Sequence, residues 1–108
     1  MTNTYQVLAQ ATLTTGYTNI CAPASGAEWI VKGISVENTD SSERTVSLCV
    51  NGSTEASNRI FKRAVPADDG YDGDGTITLN GTAGDTLKGK ASAGSVVVVT
   101  VYGLEVSS

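Results

Sequence analysis

Apolar and polar residues alternate along most of the chain in short runs, which glycine-rich or polar turns separate. Alternation with a period of two places successive side chains on opposite faces of a β-strand. The clearest case is Arg44–Val50, in which Val46, Leu48 and Val50 alternate with Thr, Ser and Cys. The whole pattern predicts about eight strands: Thr4–Leu13, Tyr17–Ala22, Glu28–Glu37, Arg44–Val50, Asn58–Val65, Thr76–Leu79, Asp85–Ala91 and Ser95–Val106.

The composition supports this interpretation. The chain has 108 residues, of which 12 are valine and 14 are threonine, and β-branched residues suit a pleated sheet better than a helix. No segment of useful length shows a helical period. We therefore expect an all-β protein, a single antiparallel two-sheet β-sandwich, jelly-roll-like, with residues 1–108 forming one domain.

The last predicted strand is apolar on both faces. Its even positions from Val96 to Val106 are mostly apolar, and its odd positions include Val97, Val99 and Val101. A two-layer sandwich turns only one face of a strand toward the core, so the other face needs a cover. A second subunit is the expected cover, with Val97, Val99 and Val101 in the interface. A loop or the N-terminal segment of the same chain is the alternative.

The strand Glu28–Glu37 is predicted to place Ile30, Ile34 and Val36 on one face, with Trp29 and Val31 on the other. A lone tryptophan is more often a core or interface residue than a platform for a sugar. Trp29 is therefore included among the candidate interface residues.

Net charge excludes one class of partner. The formal charge is −4 at pH 7, so we expect no nucleic-acid binding by phosphate neutralisation. The longest uninterrupted apolar run, Val96–Val99, is too short to span a membrane. The first residues, Met1–Tyr5, carry no export signal, so we expect the chain to be made in a cytoplasm and not secreted.

Two charged segments follow one another along the chain. Arg59, Lys62 and Arg63 make one strand basic, as is common on an exposed sheet edge, and they are candidate interface residues. The segment Pro66–Gly75 contains four aspartates and is predicted to be a mobile, solvated loop. A cation site between Asp68 and Asp74 is the alternative, although the spacing does not match an EF-hand loop.

Little in the sequence indicates chemistry. There is no histidine, which excludes a Ser-His-Asp arrangement and any His-ligated metal site. Cys21 and Cys49 are expected to be buried, reduced thiols, with a disulfide between them left open. We expect no enzymatic activity, no cofactor and no metal. The aromatic residues that could contact a sugar are scattered: Tyr5, Tyr17, Trp29, Tyr71 and Tyr102.

The order of several short segments resembles that of small virion proteins of tailed bacteriophages. The segments that carry the resemblance are Tyr17-Thr18, Pro23-Ala24, Trp29–Ile34, Val36–Thr39, Arg44–Leu48, Ala83–Leu87 and Val99–Val106. The resemblance covers about Tyr5 to Val106. The chain departs from the commoner pattern in the residues Asn19–Ala22 before the proline and in its Asp-rich segment.

This resemblance implies a β-sandwich or jelly-roll virion structural protein without catalysis. The first hypothesis is a capsid decoration (cement) protein, a homotrimer that stabilises the phage head through self-association and contact with the major capsid protein. The alternative is a tail, baseplate or fibre module that binds host-surface glycans, and a free-standing domain of another role comes third. The resemblance carries no functional residue over to this chain.

Overall fold

The computed structural model describes residues 5–52 and 58–107, and these residues form eight strands. The predicted start of the first strand at Thr4, and residues 1–4 as a whole, lie outside the described residues. In the described part, no helix is long and apolar enough to cross a membrane. The strands are β1 (Tyr5–Thr12), β2 (Thr18–Cys21), β3 (Ala27–Asn38), β4 (Arg44–Val50), β5 (Arg59–Val65), β6 (Asp69–Asn80), β7 (Leu87–Ala91) and β8 (Val97–Ser107).

The strands form two four-stranded antiparallel sheets. Sheet A has the order β1-β8-β3-β6, and sheet B has the order β2-β7-β4-β5. The first strand pairs with the last, the second with the seventh, the third with the sixth and the fourth with the fifth. A long hairpin folded over into two sheets has this nested pairing, and it is the arrangement of an eight-stranded jelly roll. The prediction of an all-β, two-sheet sandwich is confirmed.

The core lies between the inner faces of the two sheets. It includes Val97, Val99 and Val101 of β8, each 0% exposed within one chain. The prediction that these three valines form a subunit interface is therefore wrong. The odd-numbered residues of β8 point into the core, and the even-numbered residues form the outer face of the strand. The remaining members of the core are Leu13, Ile20, Cys21, Val31, Val36, Val46, Leu48, Val65, Leu79, Leu87 and Ala91.

A β-bulge in β3 changes which side chains face the core. The pairing of β3 with both neighbours shifts between Val31 and Gly33, which leaves Lys32 as the extra, exposed residue. Because one inserted residue reverses the alternation, Val31 and Val36 are both buried and Ile34 packs against the same core. The predicted separation of Val31 from Ile34 and Val36 is therefore wrong.

The Asp-rich segment is a strand rather than a loop. β6 runs over Asp69–Asn80 and pairs with β3 along its whole length, from the pair Asn38 and Asp69 to the pair Glu28 and Asn80. The ladder uses backbone groups, and an edge strand tolerates charge and glycine in its sequence. Only Asp68 lies in the preceding turn, with a φ of 50°. The prediction of a mobile loop over these residues is wrong.

Asn38 connects three segments at the end of β3. Its side chain is 1% exposed, and its Nδ2 donates hydrogen bonds to the carbonyl oxygens of Ser42, Val65 and Pro66 at 2.9, 3.0 and 3.1 Å. Its Oδ1 accepts a hydrogen bond from the backbone N–H of Asp40 at 3.0 Å. A buried amide with all its groups used in this way fixes the turn after β3 to the end of β5.

We expect Gly103→Ala to destabilise the fold. A Cβ at position 103 would overlap the carbonyl oxygen of Ile30, a backbone atom that cannot move aside without shifting β3. The free energy of unfolding, measured by urea denaturation, should fall by roughly 2–3 kcal/mol. Gly94→Ala is the control, because no atom lies within 4 Å of its added methyl group. An equal loss of stability in both variants would contradict this account.

We also expect Asn38→Ala to lower the free energy of unfolding by roughly 2–3 kcal/mol, because it removes buried hydrogen bonds and leaves carbonyl groups without their donor. The same substitution at the exposed Asn19 of β2 should change stability by no more than about 0.5 kcal/mol. Thermal and urea denaturation of the two variants give the comparison. Equal stability of Asn38→Ala and the wild type would show that the side chain does not hold the turn.

Candidate interaction surfaces

Four long cationic side chains lie on the outer face of sheet B. In β4, Val46 and Leu48 face the core, so Ser47 and Cys49 point outward. Ser47 is paired with Lys62 of β5 and Lys90 of β7, and Cys49 is paired with Arg59 and Lys88 on the same strands. We call Arg59, Lys62, Lys88 and Lys90 the basic face. Ser47 and Cys49 are nevertheless buried, at 2% and 0% exposure.

A shallow groove of about 290 Å³ runs along the basic face. Lys62 and Lys90 border it, and hydroxyl groups of serine and threonine line much of the rest. Lys90 also lies over the ring of Tyr17, with 5.0 Å between Nζ and the ring centroid. Cations and hydroxyl donors are the groups that contact carboxylate or phosphate oxygens. The lining residues are Thr15, Thr45, Ser47, Lys62, Lys90, Ala91 and Ser92.

Acidic side chains lie on the outer face of sheet A near its β6 edge. Glu37 is paired with Val98, an outward position of β8, and Asp72 is paired with Ser35, which is in register with Thr100 of β8. Glu37 and Asp72 are both exposed, and we call these two residues the acidic patch. The side chain of Glu37 lies over Gly70, where a Cβ would contact its carboxylate.

Apolar side chains occupy the other half of the same outer face. Val7 of β1 is 64% exposed and is paired with Tyr102 of β8, which is 38% exposed. The ring of Tyr102 lies over Gly33, where an added Cβ would meet it. Ile30 and Leu104 are half-buried and paired with each other. We call Val7, Ile30, Tyr102 and Leu104 the apolar patch. It adjoins β1, an edge strand with no charged residue.

The basic strand β5 is an edge strand of sheet B, as the sequence indicated. Its three cationic residues do not lie on one surface. Arg59 and Lys62 belong to the basic face, whereas Arg63 is paired with Val46 and lies 4.0 Å from the centroid of the Tyr71 ring. Tyr71 also contacts Phe61, with 5.5 Å between the ring centroids. Arg63 therefore helps join β5 to β6 across the side of the sandwich.

Trp29 lies at one end of the sandwich. It is half-buried, packs against the core, and its Nε1 donates a 2.7 Å hydrogen bond to the Glu105 carboxylate. Its partner in β6 is the buried Leu79. Such a satisfied indole N–H is typical of a structural tryptophan. The contribution of Trp29 to an interface stays a prediction.

The turn after β3 contains an ion pair. Arg44 donates from Nε to a carboxylate oxygen of Asp40 at 2.7 Å, and its terminal nitrogen lies 2.5 Å from the same oxygen. The hydrogen bond from Arg44 is the main reason that the pKa of Asp40 lies below its usual value, and the backbone N–H of Ser41 adds to this effect. Both side chains are partly accessible to solvent, so the pair orders the turn more than it stabilises the fold.

Both cysteines are buried free thiols, which confirms the expectation from sequence. Cys21 lies in β2 and Cys49 in β4, and β7 runs between these strands. Two strand spacings separate their backbones by roughly 10 Å, too far for a disulfide. Burial raises the pKa of the Cys21 thiol to about 12.

No metal-binding cluster is found among the described residues. Among the side chains that the structure describes, which do not include that of Asp74, no three of Cys, Asp or Glu are grouped closely enough to hold a metal ion. The surfaces described above can supply apolar contact, hydrogen bonds and charge. The sequence indicated two of the four basic-face residues, Arg59 and Lys62. It did not indicate Lys88 and Lys90, because only strand pairing brings β7 beside β4.

No protein-family model matches the sequence, and no curated protein matches it. Similar structures are found among solved proteins, and they include viral and phage capsid proteins. The likeness to each structure described below is at low sequence identity, so it shows a shared fold.

One similar structure is that of the giant freshwater prawn Macrobrachium rosenbergii extra small virus VLP, with a TM-score of 0.57 and 9% identity, covering 97% of this chain and 79% of that one. Another is the acidic stable capsid of Helicobacter pylori bacteriophage KHP30, with a TM-score of 0.52 and 16% identity, covering 99% and 100%. A third is the Drosophila NLP-core, with a TM-score of 0.50 and 16% identity, covering 95% and 98%.

We expect both thiols to be protected in the folded protein. Because the pKa of Cys21 is about 12 in place of 9.0, the folded state favours the protonated thiol. The raised pKa of Cys21 therefore contributes to the free energy of unfolding. This contribution is complete below about pH 9 and is lost as the pH rises toward 12. A thiol-reactive dye at pH 8 should label neither cysteine in the native protein and both in urea. Fast labelling of the native protein at Cys21 would contradict the buried placement.

Proposed function

We propose that this protein is a non-enzymatic structural component of a virion shell. The observation that carries the proposal is the strand order β1-β8-β3-β6 and β2-β7-β4-β5, which uses almost the whole chain. The same fold extends over the whole of the similar chain from the bacteriophage KHP30 capsid and over most of the chain from the prawn virus VLP. The resemblance in segment order to small phage virion proteins supports the same class.

The apolar patch supplies a mechanism for such a role. Val7 lies on the uncharged edge strand β1 and Tyr102 on its neighbour β8, and both side chains are exposed. Exposed edges and contiguous apolar surfaces are places where another chain packs. Burial of this patch against a neighbouring subunit would contribute on the order of 25 cal/mol per Å² of apolar surface. The protein would thus stabilise a particle passively, through contact.

The finer proposal is a capsid decoration (cement) protein of a tailed bacteriophage that associates with itself and with coat subunits. This role, and the homotrimer, come from the resemblance in sequence. The Drosophila NLP-core structure is described as pentameric, so the same fold supports other closed rings. The number of subunits therefore needs a direct measurement by light scattering.

A tail or fibre module that binds glycans is the second candidate, and the described aromatic side chains favour it less. Trp29 donates its N–H to Glu105, and Tyr71 contacts Phe61 and Arg63. Of the aromatic side chains that the structure describes, Tyr102 is the most exposed, and it lies on the outer face of sheet A. A glycan array with the purified protein tests this candidate, because a cement protein should give no sugar-dependent signal.

Imaging of particles tests the proposed function. We expect the protein to co-purify with particles of its virus and to occupy regular positions in reconstructed images. Val7→Lys should reduce its binding to particles at least about tenfold, because it places a charge in the apolar patch. Thr76→Lys, at an exposed position of β6, is the matched control and should bind as the wild type does.

Absence of the protein from purified particles would overturn the proposal. For the finer role, particles that lack the protein should lose resistance to heat. Equal resistance with and without the protein would contradict cementing and leave a shell component of another kind.

A further inference from the structure

Charge is divided between the two sheets. The strands of sheet B contain six of the seven basic residues of the chain and no acidic residue, and the structure describes all of these strands. The strands of sheet A contain six of the eleven acidic residues and a single basic residue, Lys32. A protein with a net charge of −4 thus has a strongly positive sheet packed against a strongly negative one.

The two charged surfaces cannot neutralise each other within one molecule. The basic face lies on the outside of sheet B, and the acidic patch lies on the outside of sheet A. Two packed sheets are about 10 Å apart, and the side chains on their outer faces point in opposite directions. At physiological salt, charges that are farther apart than about 8 Å are largely screened. The charges of Lys62 and Lys88 and those of Glu37 and Asp72 are therefore not neutralised by each other.

We propose that the partner of the basic face is the acidic patch of a second copy of this chain. Lys62 and Lys88 present cations on one surface, and Glu37 and Asp72 present carboxylates on the other. Each copy of the chain carries both the basic face and the acidic patch. The negative net charge disfavours the main competing partner, a nucleic acid, because the whole molecule repels a polyanion at long range.

The contact has a defined symmetry. Because the two surfaces lie on opposite sheets, one copy uses its basic face and the other its acidic patch, so the interface is heterologous. Such an interface leaves one free surface at each end. It closes into a ring when the rotation between copies permits and otherwise propagates. The inference rests on the proposed function, in which copies of the chain assemble with each other, and it assigns the orientation of that assembly.

Charge reversal tests the contact. The basic-face variant is Lys62→Glu with Lys88→Glu, and the acidic-patch variant is Glu37→Lys with Asp72→Lys. We expect wild-type self-association, measured by sedimentation velocity, to weaken about tenfold or more between about 50 mM and 500 mM NaCl. Each variant alone should lose self-association at low salt. An equimolar mixture of the two should associate again, because each then meets the opposite charge.

Single substitutions separate this effect from a change in net charge. Lys62→Glu and Lys32→Glu change the net charge equally, but Lys32 lies in the β3 bulge of sheet A, outside the basic face. Only Lys62→Glu should weaken association. Circular dichroism and urea denaturation verify that each variant is folded, and Lys62→Gln with Lys88→Gln provides a neutral version of the basic-face variant.

Three results would overturn the charged contact. They are salt-independent or absent wild-type association, failure of the mixed variants to associate, and binding of a short DNA duplex that needs the basic face while self-association does not. None of these results decides the proposed function, which depends on the presence of the protein in particles. Conversely, a protein that shows the charged contact but is absent from particles would refute the function alone.

Discussion

The burial of alternate side chains of β8 between the two sheets is the interaction on which the rest of the structure depends. β8 is paired with β1 on one side and β3 on the other, so its register decides which residues of three strands face the core. Once Val97, Val99 and Val101 point inward, Glu37 and Tyr102 must point outward. The core therefore determines both the apolar patch and part of the acidic patch.

Chain order explains why the division of charge is hidden in the sequence. Because successive strands mostly alternate between the two sheets, segments that are close in sequence lie in different layers, as with the basic β5 and the acidic β6. Conversely, β5 and β7 lie on either side of β4 although β6 separates them in sequence. Nested pairing brings Arg59 and Lys88 to one face, and local charge patterns alone do not indicate this.

The strands and the fold class could be predicted because a period of two and frequent turns are local signals. Which face of β8 points into the core could not be predicted, because both faces are apolar and only tertiary packing distinguishes them. The bulge at Lys32 was missed for a related reason, since one inserted residue has no sequence signature here. In β6, glycine and aspartate concealed a strand whose pairing uses the backbone. The burial of Asn38, the last residue of β3, could not be predicted either, because it depends on contacts with Val65 and Pro66.

The apolar patch and the two charged surfaces would contribute differently to contact between copies of this chain. Burial of Val7 and Tyr102 would contribute affinity without specifying an angle, because the hydrophobic effect is non-directional. Opposite charges on opposite sheets contribute orientation and the rejection of wrong contacts more than affinity. With like faces in contact, two copies would place lysines against lysines or carboxylates against carboxylates. The charge division thus disfavours face-to-face pairing of the same sheet and leaves head-to-tail contact as the favourable arrangement.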